Sequence, residues 1–283
     1  MTPQPIPKDK GWMPAPAWVG SGRFWLAWPK ATNDKDHDDA AREDCLGLAE
    51  LLSDYAPVSL ICPSRDVAVV ALRTPPNVAA FAAEHDGSAL GLHAPLWLVD
   101  EAGRLAAAAA RTARGREIAE RAGVEVLDAP PGLPQDIRAD GEGTYLAWPA
   151  GGEGEKVLRD WLGLDRVVWL EPPGAAFLAP GLVVLSPHPA NHQSLEAVID
   201  AKGRRLTLIE LANPKKGDFC YADCVIAGEA VVVPDFEDGR GTENFGHISA
   251  ALPGRSVAAF PASWLAPENA GLGAAVVVQP AST

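Results

Sequence analysis

One layout recurs five times along this chain, and repetition on that scale decides the architecture before any single residue is considered. A short apolar strand leads into a polar loop, a helix-like stretch and a second apolar strand. The first copy runs from Phe24–Pro29 through a helix ending near Ser53 to Val58–Pro63. The second joins Leu96–Ala108 to Val124–Pro130 through an Arg-rich helix ending at Ala122. The third joins Thr144–Pro149 to Val167–Pro173, with its helix ending at Gly163. The fourth joins Leu182–Pro187 to Leu206–Leu211, with its helix reaching Lys202. The fifth joins Ala230–Phe236 to Ser256–Pro261, with its helix reaching Leu252.

The helices carry single apolar stripes, so each must lie on something. Cys45, Leu48 and Leu52 are spaced i, i+3, i+7, as are Phe245, Ile248 and Leu252, while Leu195, Val198 and Ile199 are spaced i, i+3, i+4. The strands are short, unbroken apolar runs, the pattern of strands covered on both faces. A further strand precedes several copies through a tight Gly-containing link. These links are Asp100–Gly103, Asp140–Gly143, Ala179–Gly181 and Ala227–Glu229. The unit therefore reads strand, hairpin, strand, helix, strand. The first copy lacks its leading strand, and the C-terminal run Gly273–Pro280 can supply it. That would close a ring and remove exposed strand edges. The expectation is a single domain over 1–283. Its fold class is α/β, a five-bladed α/β propeller around a pseudo-fivefold axis, with N- and C-terminal strands closing the ring. An ordinary open α/β sheet with helices on both faces is the competing reading.

Composition narrows function. The 283 residues are 47% hydrophobic, enough for a sizeable core. The net charge of −13 repels a phosphate backbone, and no Lys/Arg cluster offers a local exception, so nucleic acid is not an expected partner. No run approaches the roughly 20 apolar residues that span a bilayer, and no signal-peptide pattern opens the chain. A soluble cytoplasmic protein is expected, with Cys45, Cys62, Cys220 and Cys224 as reduced thiols.

Several motifs, in order, resemble one family. Gly11–Pro29 carries Met13, Pro14, Ala15, Trp18, Trp25, Trp28 and Pro29 in the pattern Met-Pro-Ala-x-Trp, spacer, Trp-x-x-Trp-Pro, with one extra residue before Trp18. The runs DGEGTYLAWP, FLAPGLVVLSP, CVIAGEAVVVPDF and LPGRSV match later motifs. Together they resemble the agmatine deiminases and Porphyromonas-type peptidylarginine deiminases. The resemblance implies the five-bladed propeller called a pentein, in agreement with the repeat count. It also implies guanidine chemistry, in which a Cys thiolate attacks the guanidinium carbon, a His moves protons and carboxylates hold the cation.

Carried over residue by residue, those groups are missing. The family's Trp-x-Arg-Asp-x-Gly-Pro falls on Ala89–Pro95, so its Arg is Gly91 and its Asp is Leu92. The Glu of Glu-Gly-Gly-Asn falls on Leu133. The Gly-His-x-Asp element falls near Trp169–Pro173, which holds neither His nor Asp. The nucleophile position is Ala274, preceded by Gly273, and no cysteine follows Cys224. Without a thiolate the covalent route is closed.

Replacement chemistry has one dense polar candidate, Gly217–Cys224. Cys220 as a thiol, His188 as its base and Asp218 beside them form the candidate catalytic set. Trp25, Tyr221, Asp223 and His192 are candidate binding residues. Cys220, Cys224, His188 and His192 have the donor types of a zinc site, although Pro189 forbids a helical i, i+4 histidine pair. The plainer reading makes Cys224 the start of a buried strand and the others ordinary loop residues. The acidic run Asp34–Asp39 reads as a solvated helix start. No cofactor is expected. The expected function is a non-catalytic binding or partner protein descended from guanidine-modifying hydrolases. The alternatives are an enzyme with a site rebuilt around Cys220 and His188, or a subunit paired with an active homologue. A small-molecule ligand and homo- or hetero-oligomers stay open as partners, and a membrane is not expected.

Overall fold

The computed structural model describes residues 6–83, 90–109, 112–134, 136–148, 152–171, 174–215, 220–265 and 271–282. The chain forms two compact units, each assembled from separated stretches. The first comprises Met1–Val19, His93–Leu208 and Pro280–Thr283, and the second Gly20–Leu92 and Ile209–Gln279. Among the described residues there are five sheets, one for each sequence repeat.

In the second unit, one sheet orders its strands as Val276–Pro280, Ser21–Ala27, Val58–Cys62 and Val78–Ala82. The C-terminal run thus lies beside the first strand of the first repeat, as its missing leading strand required. Ser21–Ala27 and Val58–Cys62 are parallel, with Phe24 opposite Val58, and Val58–Cys62 is buried at every position. The helix Lys35–Ser53 covers this sheet. It starts at Asp34, whose carboxylate accepts the Asp36 and His37 N–H groups, and Asp36 and Asp38 oppose the positive end of the helix dipole. Its stripe of Cys45, Leu48 and Leu52 is buried against Phe24, Leu26 and Leu60. The helix Val67–Arg73 and the strand Val78–Ala82 extend this repeat beyond the expected pattern. The second sheet of the unit is an antiparallel hairpin, Val225–Ala227 with Ala230–Asp235. The helix Gly241–Ala251 then leads to the parallel strand Ser256–Pro261. Gly228 turns the hairpin at a φ of 57°, the left-handed region where glycine carries no side-chain strain.

The first unit holds three sheets on the same plan. Their strand orders are Met13–Pro14, Leu96–Val99, Leu105–Ala108, Glu125–Leu127; Val167–Trp169, Tyr145–Trp148, Asp136–Ala139; and Ala175–Ala179, Leu182–Leu185, Thr207–Glu210. In the first two, an antiparallel hairpin is followed by a helix and a parallel strand. One helix is shorter than expected. The fourth repeat's helix ends at Glu196, not near Lys202. The Asp200 carboxylate instead collects the N–H groups of Lys202 and Arg204, which closes a tight loop that competes with helix. None of the described helices is long and apolar enough to cross a membrane.

Candidate functional site and relatives

The loop entering the hairpin Val225–Ala227 holds the C-terminal segment in place. Asp223 Oδ2 accepts the N–H of Gly273 at 2.9 Å and of Ala274 at 3.3 Å, and its backbone carbonyl also accepts Gly273 N–H. One residue therefore anchors the start of the short helix Leu272–Ala275. This contact demands glycine on both sides. A Cβ at Gly273 would sit 2.3 Å from Asp223 Oδ1, and one at Gly271 only 2.0 Å from Oδ2. Gly271 also adopts a φ of 135°, which side-chain-bearing residues avoid. From another side, a Cβ on Gly91 would lie 2.8 Å from the Ala274 carbonyl oxygen and 3.1 Å from that of Gly273. The segment is thus enclosed by backbone and one carboxylate, with no space for side chains at 91 or 273.

The other sequence candidates serve packing and loop closure. Tyr221 is fully buried, packs edge-on against Phe236 and donates to Asp238 Oδ1 at 2.6 Å. Burial pushes its hydroxyl well above the ordinary range, and the Asp238 charge pushes the same way, so it stays protonated. Burial alone would raise Asp238. The Tyr221 hydroxyl and the N–H groups of Lys215 and Arg240 outweigh it and hold the carboxyl below its usual range. Trp25 is 2% exposed, donates to Gln279 Oε1 at 3.0 Å and stands edge-on to Phe81, with the Arg23 guanidinium over its ring. It is a packed tryptophan, not an open aromatic face.

Cys220 and Cys224 are both buried, and the Cys224 thiol donates to the Tyr221 carbonyl at 3.2 Å. Cys224 directly precedes the buried strand Val225–Ala227, as the plainer sequence reading has it. Asp218 lies outside the described residues. Cys45 and Cys62 are also buried, and desolvation raises both thiols, that of Cys62 to about 11, so neither is a thiolate near neutrality. In the first unit His188 is the residue before the helix Pro189–Glu196. Its Nδ1 accepts the Asn191 N–H, and Pro189 takes the first helical position, leaving His192 on the helix itself. Among the described residues, one group of three or more His, Cys, Asp or Glu brings its ligand atoms within 4.8 Å: Asp140, Glu142 and Asp200. Cys220, Cys224, His188 and His192 are not part of that group. Both thiols are buried, and the His188 Nδ1 caps its helix.

Two structural residues escaped the sequence reading. Asn191 and Asn244, both nearly fully buried, clamp the chain that leaves a strand. Asn191 accepts Glu171 N–H at 2.8 Å and donates to the Glu171 carbonyl. Asn244 does the same for Ala212, at 2.9 Å and 3.2 Å. Their occurrence near the starts of the fourth and fifth helices was a repeat-level signal for both. At the other positions of the resemblance, Leu133 is buried in an apolar cluster and Leu170 is buried beside Leu195.

Comparison with known proteins places this geometry. The sequence profile described as Porphyromonas-type peptidyl-arginine deiminase matches residues 184–280. A Streptomyces avermitilis protein named "Putative agmatine deiminase" is 26% identical over 315 aligned positions, covering 87% of this chain and 90% of its own. A Pectobacterium atrosepticum protein of the same name is 24% identical and covers 74% of this chain and 72% of its own. Among solved structures, agmatine deiminase of Enterococcus faecalis superposes with a TM-score of 0.86 at 16% identity, covering 99% of both chains. The "Putative Arginine Deiminase" of Porphyromonas gingivalis gives 0.77 at 18% identity over 96% of this chain and 99% of its own. The structural likeness fixes a mixed α/β fold like that of these deiminases, and in sequence the chain is similar to the agmatine deiminases over most of its length and to the Porphyromonas-type peptidyl-arginine deiminases over its C-terminal third.

Proposed function

We propose that this chain is a non-catalytic member of that family, built to bind and not to turn over a guanidine. The five sheets support reading the fold as five blades around a common axis. The place of Val276–Pro280 beside Ser21–Ala27 supports closure of that ring. One observation carries the functional reading. At the position where the resemblance puts the sulfur nucleophile stands Ala274, and the residue before it is Gly273, whose missing side chain leaves the space that Asp223 fills.

A guanidinium-cleaving site needs a thiolate within reach of the carbon, a proton carrier and anions for the charge. Gly91, Gly273 and Ala274 supply none of these, and the backbone around 91 and 273 closes on itself. The burial of Cys220 argues against a rebuilt thiol site. What the scaffold retains is a capacity to bind, either a small molecule or a homologous active chain. The test is ammonia release from agmatine and from a peptidyl-arginine substrate, with an active family member as control. No release above background is expected. Turnover by this chain, lost on Cys220→Ala, would overturn the reading. Co-purification with an active homologue would support the partner role, and a strictly monomeric native mass in its presence would refute it.

A further inference from the structure

Three loops of the first unit share one design. Asp100, Asp140 and Asp200 each open a five-residue loop and accept the backbone N–H groups two and four positions on. The partners are Ala102 and Arg104 at 3.0 and 2.8 Å, Glu142 and Thr144 at 2.7 and 2.8 Å, and Lys202 and Arg204 at 2.9 and 2.8 Å. In two loops the fifth residue is arginine, and its Nε returns to the second carboxylate oxygen at 2.7 Å. The Asp140 loop breaks the pattern. Its fifth residue is Thr144, whose hydroxyl is used by the Ala201 N–H at 3.0 Å. Asp140 is fully buried, and its Oδ2 has no hydrogen-bond partner.

An orphaned carboxylate oxygen of this kind demands an explanation, and a bound ion is one of the few available. The surroundings favour that one. One carboxylate oxygen from each of Asp140, Glu142 and Asp200 lies within 4.8 Å of the others. Arg204 binds Glu142 and Asp200 but does not reach Asp140 Oδ2. Within the group, three carboxylates face one guanidinium, which leaves two negative charges. The donors are all oxygen, the set that hard divalent ions prefer over zinc or copper. The two loops are already in contact, since a Cβ on Gly143 would come within 3.1 Å of the Ala201 Cβ.

We propose that Asp140, Glu142 and Asp200 bind one hard divalent cation of the calcium or magnesium class. The ion supplies Asp140 Oδ2 with the partner that arginine provides in the other two loops, and it pins the hairpin of the third repeat to the loop of the fourth. The proposal does not depend on whether the chain is catalytic.

The experiment is a thermal melt of the full chain, stripped with chelator and titrated with calcium or magnesium chloride, with calorimetry for stoichiometry. A saturable rise in melting temperature with one of these ions, at one ion per chain, is expected. Asp140→Asn keeps an oxygen for both N–H groups but removes the charge. It should abolish the response while melting no lower than the metal-free wild type. If Asp140→Asn fails to fold, Glu142→Gln is read by loss of the response alone. The proposal is overturned if neither ion binds, or if the response survives unchanged in the folded variant.

Discussion

Asp223 and Gly273, fifty positions apart in sequence, are joined twice: the backbone carbonyl and the carboxylate of Asp223 both accept the Gly273 N–H. The contact holds only because residue 273 has no side chain, since a Cβ there would meet the Asp223 carboxylate. On the proposed non-catalytic reading, a thiol introduced at position 274 does not by itself make a site. Ala274→Cys should fold near the wild-type melting temperature and still release no ammonia from agmatine. Ammonia release by this variant well above background would contradict that reading.

Gly273→Ala places a carbon against the Asp223 carboxylate, and overpacking of this kind costs about 1–3 kcal/mol. In an Asp223→Ala background the same substitution should cost markedly less, because the colliding group is gone. A double-mutant cycle by denaturant unfolding reads the coupling directly. Additive effects would mean that the two residues do not meet.

Removing either asparagine clamp leaves a part-buried backbone N–H and carbonyl without their side-chain partner, at about 1 kcal/mol for each hydrogen bond lost. Asn191→Ala and Asn244→Ala should each lower the urea midpoint clearly, whereas a change at exposed Gln193 should leave it nearly still. Equal midpoints for all three would refute the clamp assignment.

Asp238 gives a signed pH prediction. Its carboxyl is held below the ordinary range in the folded state, so its contribution is fully present above the unfolded value near pH 4. That contribution fades as pH falls through the lower folded value. Asp238→Asn should therefore flatten the acid limb of the stability curve below about pH 4. Tyr221→Phe, which deletes one of the three hydrogen bonds, should flatten it partway. An unchanged acid limb in Asp238→Asn would contradict the assignment.

All four cysteines are buried, so a thiol-specific chromogenic reagent at mildly alkaline pH should find no fast-reacting group in the native chain and four after denaturation. A single rapid native reaction, lost in Cys220→Ala, would revive thiol chemistry at that residue.

Much of the architecture was legible in the sequence. Period-3.6 stripes such as Cys45, Leu48 and Leu52, unbroken apolar strands such as Val58–Cys62, and Gly-bearing links such as Ala227–Glu229 act within a few residues and carry their own geometry. The C-terminal strand was legible as well, because the first repeat lacked a partner for Ser21–Ala27. The fourth helix was overextended because the Asp200 loop wins by side-chain hydrogen bonds that an apolar pattern does not register.

The sequence by itself determined the repeat, most of the elements within it and the small residues Gly91, Gly273 and Ala274. Only the tertiary structure decided what surrounds them. It set the Asp223 carboxylate on the Gly273 amide, gave Tyr221 to Asp238, buried both loop cysteines and left the buried Asp140 Oδ2 without a hydrogen-bond partner. The physical reason is range. Strand and helix signals are local, whereas these hydrogen bonds join groups many residues apart and form only once the chain has packed.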